Sequence, residues 1–356
     1  MDKLVISSSM ADLLSIVTEH CGVYLSVKKG TATFIDGKQR LSFPADVCDG
    51  YYVIEDKSLK ATEKPAVLEM EQPDLGKTQA EFCVGLDALK AMSDAFSWST
   101  VRGRGVSDWS NTVLFNIIKD KLIISGTDTC GLFSKAFRMD GASKRLSKIK
   151  NNSFSVFCDK KSDDAGVIFA DVIKFVVASS PLSLHFVVYD KGIEIRVVFV
   201  GGEFSYACQT KPDSWWTSDF LKRKKTAFCF KLSNVSSIFS AIEKNREKYK
   251  NQAVLVGMSF KGNKADFVLY YPVCGDVVPI ANTVVYKKGQ AKAQITLADF
   301  NQMSVVMTYD GDGLTEGTVF LSARYLQRTL EAFGDNLSVR LVDNVMFVFQ
   351  NAYKGF

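Results

Sequence analysis

The feature that most constrains this chain is a strand-to-helix unit that recurs along it. In Phe82-Cys83-Val84-Gly85-Leu86-Asp87-Ala88-Leu89, apolar residues fall at offsets 0, 2, 4 and 7. Steps of two have strand period, and the closing step of three opens a helix. The same offsets return at Phe228, Phe230, Leu232 and Val235, where the helix continues through Ile238, Phe239 and Ile242. They return again at Val319, Leu321, Ala323 and Leu326, followed by Leu330, and a fourth time at Gly166, Ile168, Ala170 and Ile173. The copies start at 82, 166, 228 and 319, so they form pairs that recur at about 150 residues.

Strands follow each helix. After the helix near 86–97 come strand-like runs at 112–118, 121–125 and 132–139. After the helix near 170–179 come 182–189, a turn at Asp190-Lys191-Gly192, 193–200, a turn at Gly201-Gly202, and 204–208. After the last helix, 337–342 and 345–349 read as a hairpin around Asp343-Asn344. One helix laid on an antiparallel sheet is an α+β layer. The pattern therefore predicts an α+β fold of repeated strand–helix–antiparallel-sheet units, two to a domain. Near the N-terminus, Leu4–Ile6 followed by Met10–Val17 is the same step, with strands at 23–28, 31–35 and 40–44. A partner unit begins at Tyr52, Ile54 and Leu59 with its helix degraded, and 62–78 reads as loop and strand. The expected domains are a reduced one at 1–78, a middle one at 79–217 and a C-terminal one at 226–356.

Composition narrows the function classes. Of 356 residues, 47% are hydrophobic and 23% charged, enough for a substantial core. The net charge of +5 tolerates a polyanionic partner without requiring one. No run approaches the roughly 18 apolar residues of a membrane span, and the N-terminus lacks the parts of a signal peptide. A cytoplasmic protein with no membrane partner is expected. Eight cysteines without C-x-x-C spacing read as buried reduced thiols. There are two histidines, His20 and His185, and neither has another histidine nearby for a metal centre or an acid–base pair. Arg102-Gly103-Arg104-Gly105 lacks the strand, helix and Lys-Ser/Thr of a phosphate loop. Asp310-Gly311-Asp312-Gly313 opens like a calcium loop, but Glu316 comes too early for its last ligand. No catalytic residue, metal or cofactor is expected.

Tandem pairs of this unit resemble the DNA sliding clamps: the bacterial beta clamp, phage clamps and the eukaryotic clamp. The local match runs from Ser110 to Leu132, where Gly126-Thr127-Asp128-Thr129-Cys130-Gly131-Leu132 stands in place of the bacterial A-T-D-G-H-R-L segment. Thr127, Asp128 and Leu132 match, whereas Thr129, Cys130 and Gly131 depart from it. The tail from Val319 to Phe333, with its hairpin and Asn351–Phe356, resembles the clamp's last strand, helix and hairpin. The resemblance covers about 80–356 and implies a divergent, viral or phage member.

In a clamp the outward helix faces line a central hole, where cations meet phosphates without reading sequence. At about 100° per residue, Arg324 and Arg328 lie opposite Leu326 and Leu330, and Lys244 and Lys248 project away from the stripe led by Val235. The run Lys222-Arg223-Lys224-Lys225 is either DNA-facing or a solvated linker. Partners of clamps carry a short motif that docks between domains. The resemblance places that pocket at Thr127, Thr129, Leu132, Tyr353 and Phe356, although Leu132 also suits a buried core. Trp215-Trp216 adds aromatic surface, because strand neighbours point to opposite faces and at least one must be exposed or at an interface.

The function expected is a non-enzymatic polymerase processivity factor. It would encircle or track double-stranded DNA, bind a polymerase and other short-motif proteins, and be loaded by a separate clamp loader. A ring of about six domains means a homo-dimer for three domains per chain, and a trimer or monomer for two plus a reduced piece. The rival is a structural or assembly protein of repeated α+β modules, such as a virion component.

Overall fold

A computed structural model describes residues 12, 24–36, 39–55, 58–64, 73–99, 112–118, 120–127, 131–141, 153–157, 173–174, 176–177, 181–209, 226–250, 252–261, 264–280, 285–289, 302–307, 309–310, 318–335, 337–342 and 345–349. The chain forms two compact units, 1–126 with 137–213, and 127–136 with 214–356.

In the first unit the strands are β1 (Tyr24–Lys28), β2 (Thr31–Asp36), β3 (Gln39–Pro44), β4 (Gly50–Glu55), β5 (Ser58–Thr62) and β6 (Thr78–Val84). Helix α1 (Asp87–Ser99), β7 (Thr112–Ile118) and β8 (Lys121–Thr127) follow. Strand β9 (Gly131–Arg138) has most of its length in the second unit, and β10 (Ser153–Phe157), β11 (Pro181–Tyr189), β12 (Gly192–Phe199) and β13 (Gly202–Gln209) return to the first. Nine of these strands make one antiparallel sheet in the order β5-β4-β1-β2-β3-β13-β12-β11-β6. Its core face carries Leu41, Phe82, Phe186, Ile195 and Phe204, all buried. Phe82 stacks on Phe186 with ring centroids 5.4 Å apart, and Phe115 of β7 packs on Phe186 at 6.0 Å. The β1–β2 turn is closed by Lys29 and Gly30, both at positive φ, the two-residue geometry that matches strand twist.

In the copy at 82 the strand-to-helix unit behaves as its spacing requires, with one exception. Phe82, Val84 and Leu89 are buried, but Leu86 lies in the turn before α1 and is 39% exposed. Offset 4 falls where the chain leaves the sheet, so strand period no longer applies there. Helix α1 turns a half-cylinder of Ala88, Leu89, Ala91, Met92, Ala95, Phe96, Trp98 and Ser99 inward. It packs so closely on β8 that a Cβ on Gly126 would overlap the Ala95 carbonyl and lie 2.7 Å from Ser99 Oγ. Of the fourth copy only 173–174 and 176–177 are described; they are helical, with Ile173 and Val176 buried. The expected N-terminal strand and helix fall outside the described residues, apart from helical Asp12.

The second unit holds β14 (Thr226–Ser233), α2 (Ser236–Lys244), β15 (Leu255–Lys261), β16 (Lys264–Tyr271) and β17 (Asp276–Ile280). It continues with β18 (Val285–Gly289), β19 (Gln302–Met307), β20 (Tyr309–Asp310), β21 (Thr318–Ser322), α3 (Ala323–Phe333), β22 (Leu337–Val342) and β23 (Val345–Phe349). One sheet runs β9-β19-β23-β22-β14-β18 within this unit, and a second runs β17-β16-β15-β21-β20. Phe133 of β9 meets Phe333 of α3 edge-on at 6.3 Å. Strand β21 is buried on both faces near its end: Leu321 is in the core, and Phe320 fills the space left by the missing side chain of Gly257.

Candidate nucleic-acid interface and partner-binding elements

The two basic helix faces differ from the expectation. Helix α2 stops at Lys244, short of Lys248, which was expected on its outward face. Asn245 caps it, and its side-chain amide donates to the Ala241 carbonyl at 2.8 Å. The chain then turns to bury Tyr249, which stacks on Tyr271 with centroids 3.7 Å apart. Burying that ring removes Lys248 from the helical register. Its ammonium instead donates to Tyr249 Oη at 2.7 Å and to Asp276 Oδ2 at 3.2 Å. Lys244 is exposed on the last turn of α2, beside the Glu243–Arg246 pair at 2.9 Å.

On α3, Leu326 and Thr329 are buried and Arg324 is exposed, as the angular argument requires. Arg328 is only half-exposed and one guanidinium nitrogen is buried, while Leu330 is half-buried. Gln327 donates to Glu331 at 3.1 Å on the same outer face. The charged residues of α1, α2 and α3 are therefore balanced: Asp87, Asp94, Glu243 and Glu331 against Lys90, Lys244, Arg324 and Arg328. The basic run Lys222, Arg223, Lys224 and Lys225 lies outside the described residues.

Of the expected partner pocket, Thr127 and Leu132 are described. Thr127 is buried and its hydroxyl donates to the Gly131 carbonyl at 2.6 Å, tying the end of β8 to the start of β9. Leu132 is 1% exposed and pairs in register with Val305 of β19. Both side chains belong to the interior of the second unit. Thr129, Trp215, Trp216, Tyr353 and Phe356 lie outside the described residues.

Two groupings went unread in the sequence. The first is the β16–β17 hairpin, where Val273 in the turn is 76% exposed and Val277, on a strand at the edge of its sheet, is 43% exposed. Pro279 inside that strand was the available signal, because proline is confined to edges. Asp276, at the start of β17, accepts from Tyr249 Oη at 2.6 Å, and this bond, with Lys248 after it, holds its carboxyl below the ordinary range. The second is Cys83 Sγ, 3.2 Å from His185 Nδ1, with His185 Nε2 2.9 Å from Ser183 Oγ. Strand register brings these together from 102 positions apart. Burial, then the Glu81 and Asp140 carboxylates, push the Cys83 thiol up, the reverse of what an activated nucleophile needs. Among the described residues no three His, Cys, Asp or Glu side chains are grouped to hold a metal ion, and no helix is long and apolar enough to cross a membrane.

No protein-family model matches the sequence, and no curated protein does. Solved structures do. The chain is similar to the DnaN sliding clamp, DNA polymerase III subunit beta, of Bartonella birtlesii, bound to griselimycin in that crystal, with a TM-score of 0.61 and 11% identity. That likeness covers 99% of this chain and 100% of the other. The DNA polymerase III subunit beta of Pseudomonas aeruginosa follows at 0.59 and 12%, covering 97% and 98%. A putative beta subunit from Eubacterium rectale is similar at 0.60 and 8%, covering 96% and 97%. Over nearly its whole length, and in a sequence that has diverged to about a tenth identity, the chain has the α+β fold of the DNA polymerase III beta sliding clamps.

Proposed function

We propose that the chain is a sliding clamp, a non-catalytic processivity factor that closes around duplex DNA and tethers a polymerase to it. The end-to-end likeness to beta clamps carries this reading. In it, Arg324, Arg328 and Lys244 face the duplex and meet phosphates without sequence preference. Polymerase and other partners dock through a short apolar motif near the start of β9 and the C-terminal residues Tyr353 and Phe356. A separate clamp loader supplies any nucleotide-driven opening, and the chain itself uses no cofactor.

The way third strands are used supports ring closure. Each helix or hairpin start leads into a run of strands, and the third of the run is a joint. Strand β3 pairs beyond its own run with β13, itself a third strand, and β9 pairs with β19. The third strand after α2 is β17, which among the described residues pairs with β16 alone. We assign its free edge, with Val273 and Val277 exposed beside it, to a second copy of the chain. Light scattering should then give a closed homo-oligomer. The protein loaded on nicked circular DNA should be retained there and lost from linear DNA. A monomer that dissociates equally from both would overturn the clamp reading and favour a structural protein.

A further inference from the structure

On the face of the first unit's sheet opposite the core, one register row crosses five strands. Cys83 of β6 stands beside His185 of β11, His185 beside Arg196 of β12, Arg196 beside Ser205 of β13, and Ser205 beside Arg40 of β3. Three carboxylates flank the row. Arg196 reaches Glu194 at 3.1 Å, Glu203 at 3.6 Å and Glu81 at 4.0 Å. The same Glu203 oxygen lies 3.3 Å from Arg40. Glu203 thus ties β3 to β12 across β13, at the seam where the N-terminal strands join the rest of the sheet.

The seam itself is short. Strands β3 and β13 share four residue pairs, against eight for β12 with β13 and six for β2 with β3. On the core face Leu41 is buried opposite Phe204. On the polar face the holding contacts are loose. Both distances to Glu203 exceed the roughly 2.7–2.9 Å of a tight charge-assisted bond, and its side chain and that of Arg40 are 31% and 34% exposed. Arg196 Nε and Ser205 Oγ, neighbours in the row, are buried without a hydrogen-bond partner. Long, part-exposed ion pairs respond to salt, since the screening length falls from about 10 Å at 0.1 M to about 3 Å at 1 M.

We propose that Glu203 is an ionic latch on the β3–β13 seam, so that β1–β5 loosen from β13 as ionic strength rises. The Leu41–Phe204 contact keeps the unit folded, and the loosening is a local opening of two strands. It alters the junction between the N-terminal strands and the remainder without a second protein acting. This rests on the geometry of the first unit and holds whether or not the chain encircles DNA.

Hydrogen exchange on the full chain tests it. On raising salt from about 20 mM to about 500 mM, amides of 39–44 and 202–209 should exchange roughly three- to tenfold faster, while those of 184–188 stay unchanged. Glu203→Gln should exchange fast at both salts and lose the response. Arg40→Gln, which removes the other partner of the seam ion pair, should do the same. Should Glu203→Gln fail to fold, the salt titration of the unaltered chain decides alone. Exchange at 39–44 that ignores salt, or that rises equally throughout the first unit, would overturn the latch.

Discussion

At Lys248 the ammonium sits 4.6 Å above the Tyr249 ring and within ion-pair distance of Asp276. A residue read as a free cation on a helix is instead part of a staple that fixes the start of β17. The staple has a pH signature. Asp276 titrates below its unfolded value, chiefly through the Tyr249 hydrogen bond and then through Lys248. Its contribution is therefore complete above the unfolded carboxylate pKa, about 3.9, and disappears as pH falls through the lower folded value. Amide protection of β17 should drop in that acid window, and Asp276→Asn should abolish the pH dependence of the drop. The two arginines of α3 should separate in the same spirit. Arg324→Ala is expected to flatten the log–log salt dependence of DNA association by about 0.9 with an unchanged melting temperature. Arg328→Ala should also lower the melting temperature, because part of its guanidinium is buried. An unchanged salt slope for Arg324→Ala would remove that residue from the interface.

At the scale of elements, helix α1 and strand β8 are held at a distance only glycine allows. Gly126→Ala must push the helix off the sheet, and overpacking of this kind costs about 1–3 kcal/mol. Thermal unfolding measures it, and a stability within a few tenths of the parent would refute the close packing. Elements such as β7, β22 and β23 were legible because apolar alternation and turn residues are local signals; their bounds fall at 112–118, 337–342 and 345–349 in sequence and structure alike. The end of α2 was not. Charged residues from Glu243 to Lys250 continue a helical pattern, and only the pull of Tyr271 on Tyr249, 22 positions away, breaks it. Which strands become neighbours was equally hidden. The pairing of Leu41 with Phe204, or Leu132 with Val305, joins segments whose separate patterns say only that each is a strand. Of the candidate site, the orientation of Arg324 came from helical angle, whereas the burial of Leu132 depends on a partner strand from the other end of the chain.

For the whole molecule, the testable quantities are assembly and recruitment. Val277→Pro, two positions before Pro279 and so on the same outward N–H side of β17, should weaken self-association at least tenfold while leaving a folded chain, because an edge strand tolerates proline where its N–H faces away from the sheet. Sedimentation at graded concentrations measures this, and an unaltered oligomer would place the contact elsewhere. Removing Ala352–Phe356 should reduce polymerase binding about thirtyfold, the equivalent of about 2 kcal/mol, with assembly intact. Stimulation of synthesis at parental levels by that truncated protein would move the partner site away from the tail.

The edge of β17 that has no partner among the described residues also has a consequence for handling and for life inside a cell. Head-to-tail joining of one edge to a different edge either closes after a fixed number of copies or runs on without end. Small changes in the angle at which successive copies meet decide between these outcomes. In the clamp proposed above, the edge that would complete a ring is thus also a polymerisation hazard, and Val273 and Val277 beside it are the apolar surface that would feed it. Variants that bend the subunit without harming its fold should thicken into fibres as their concentration rises.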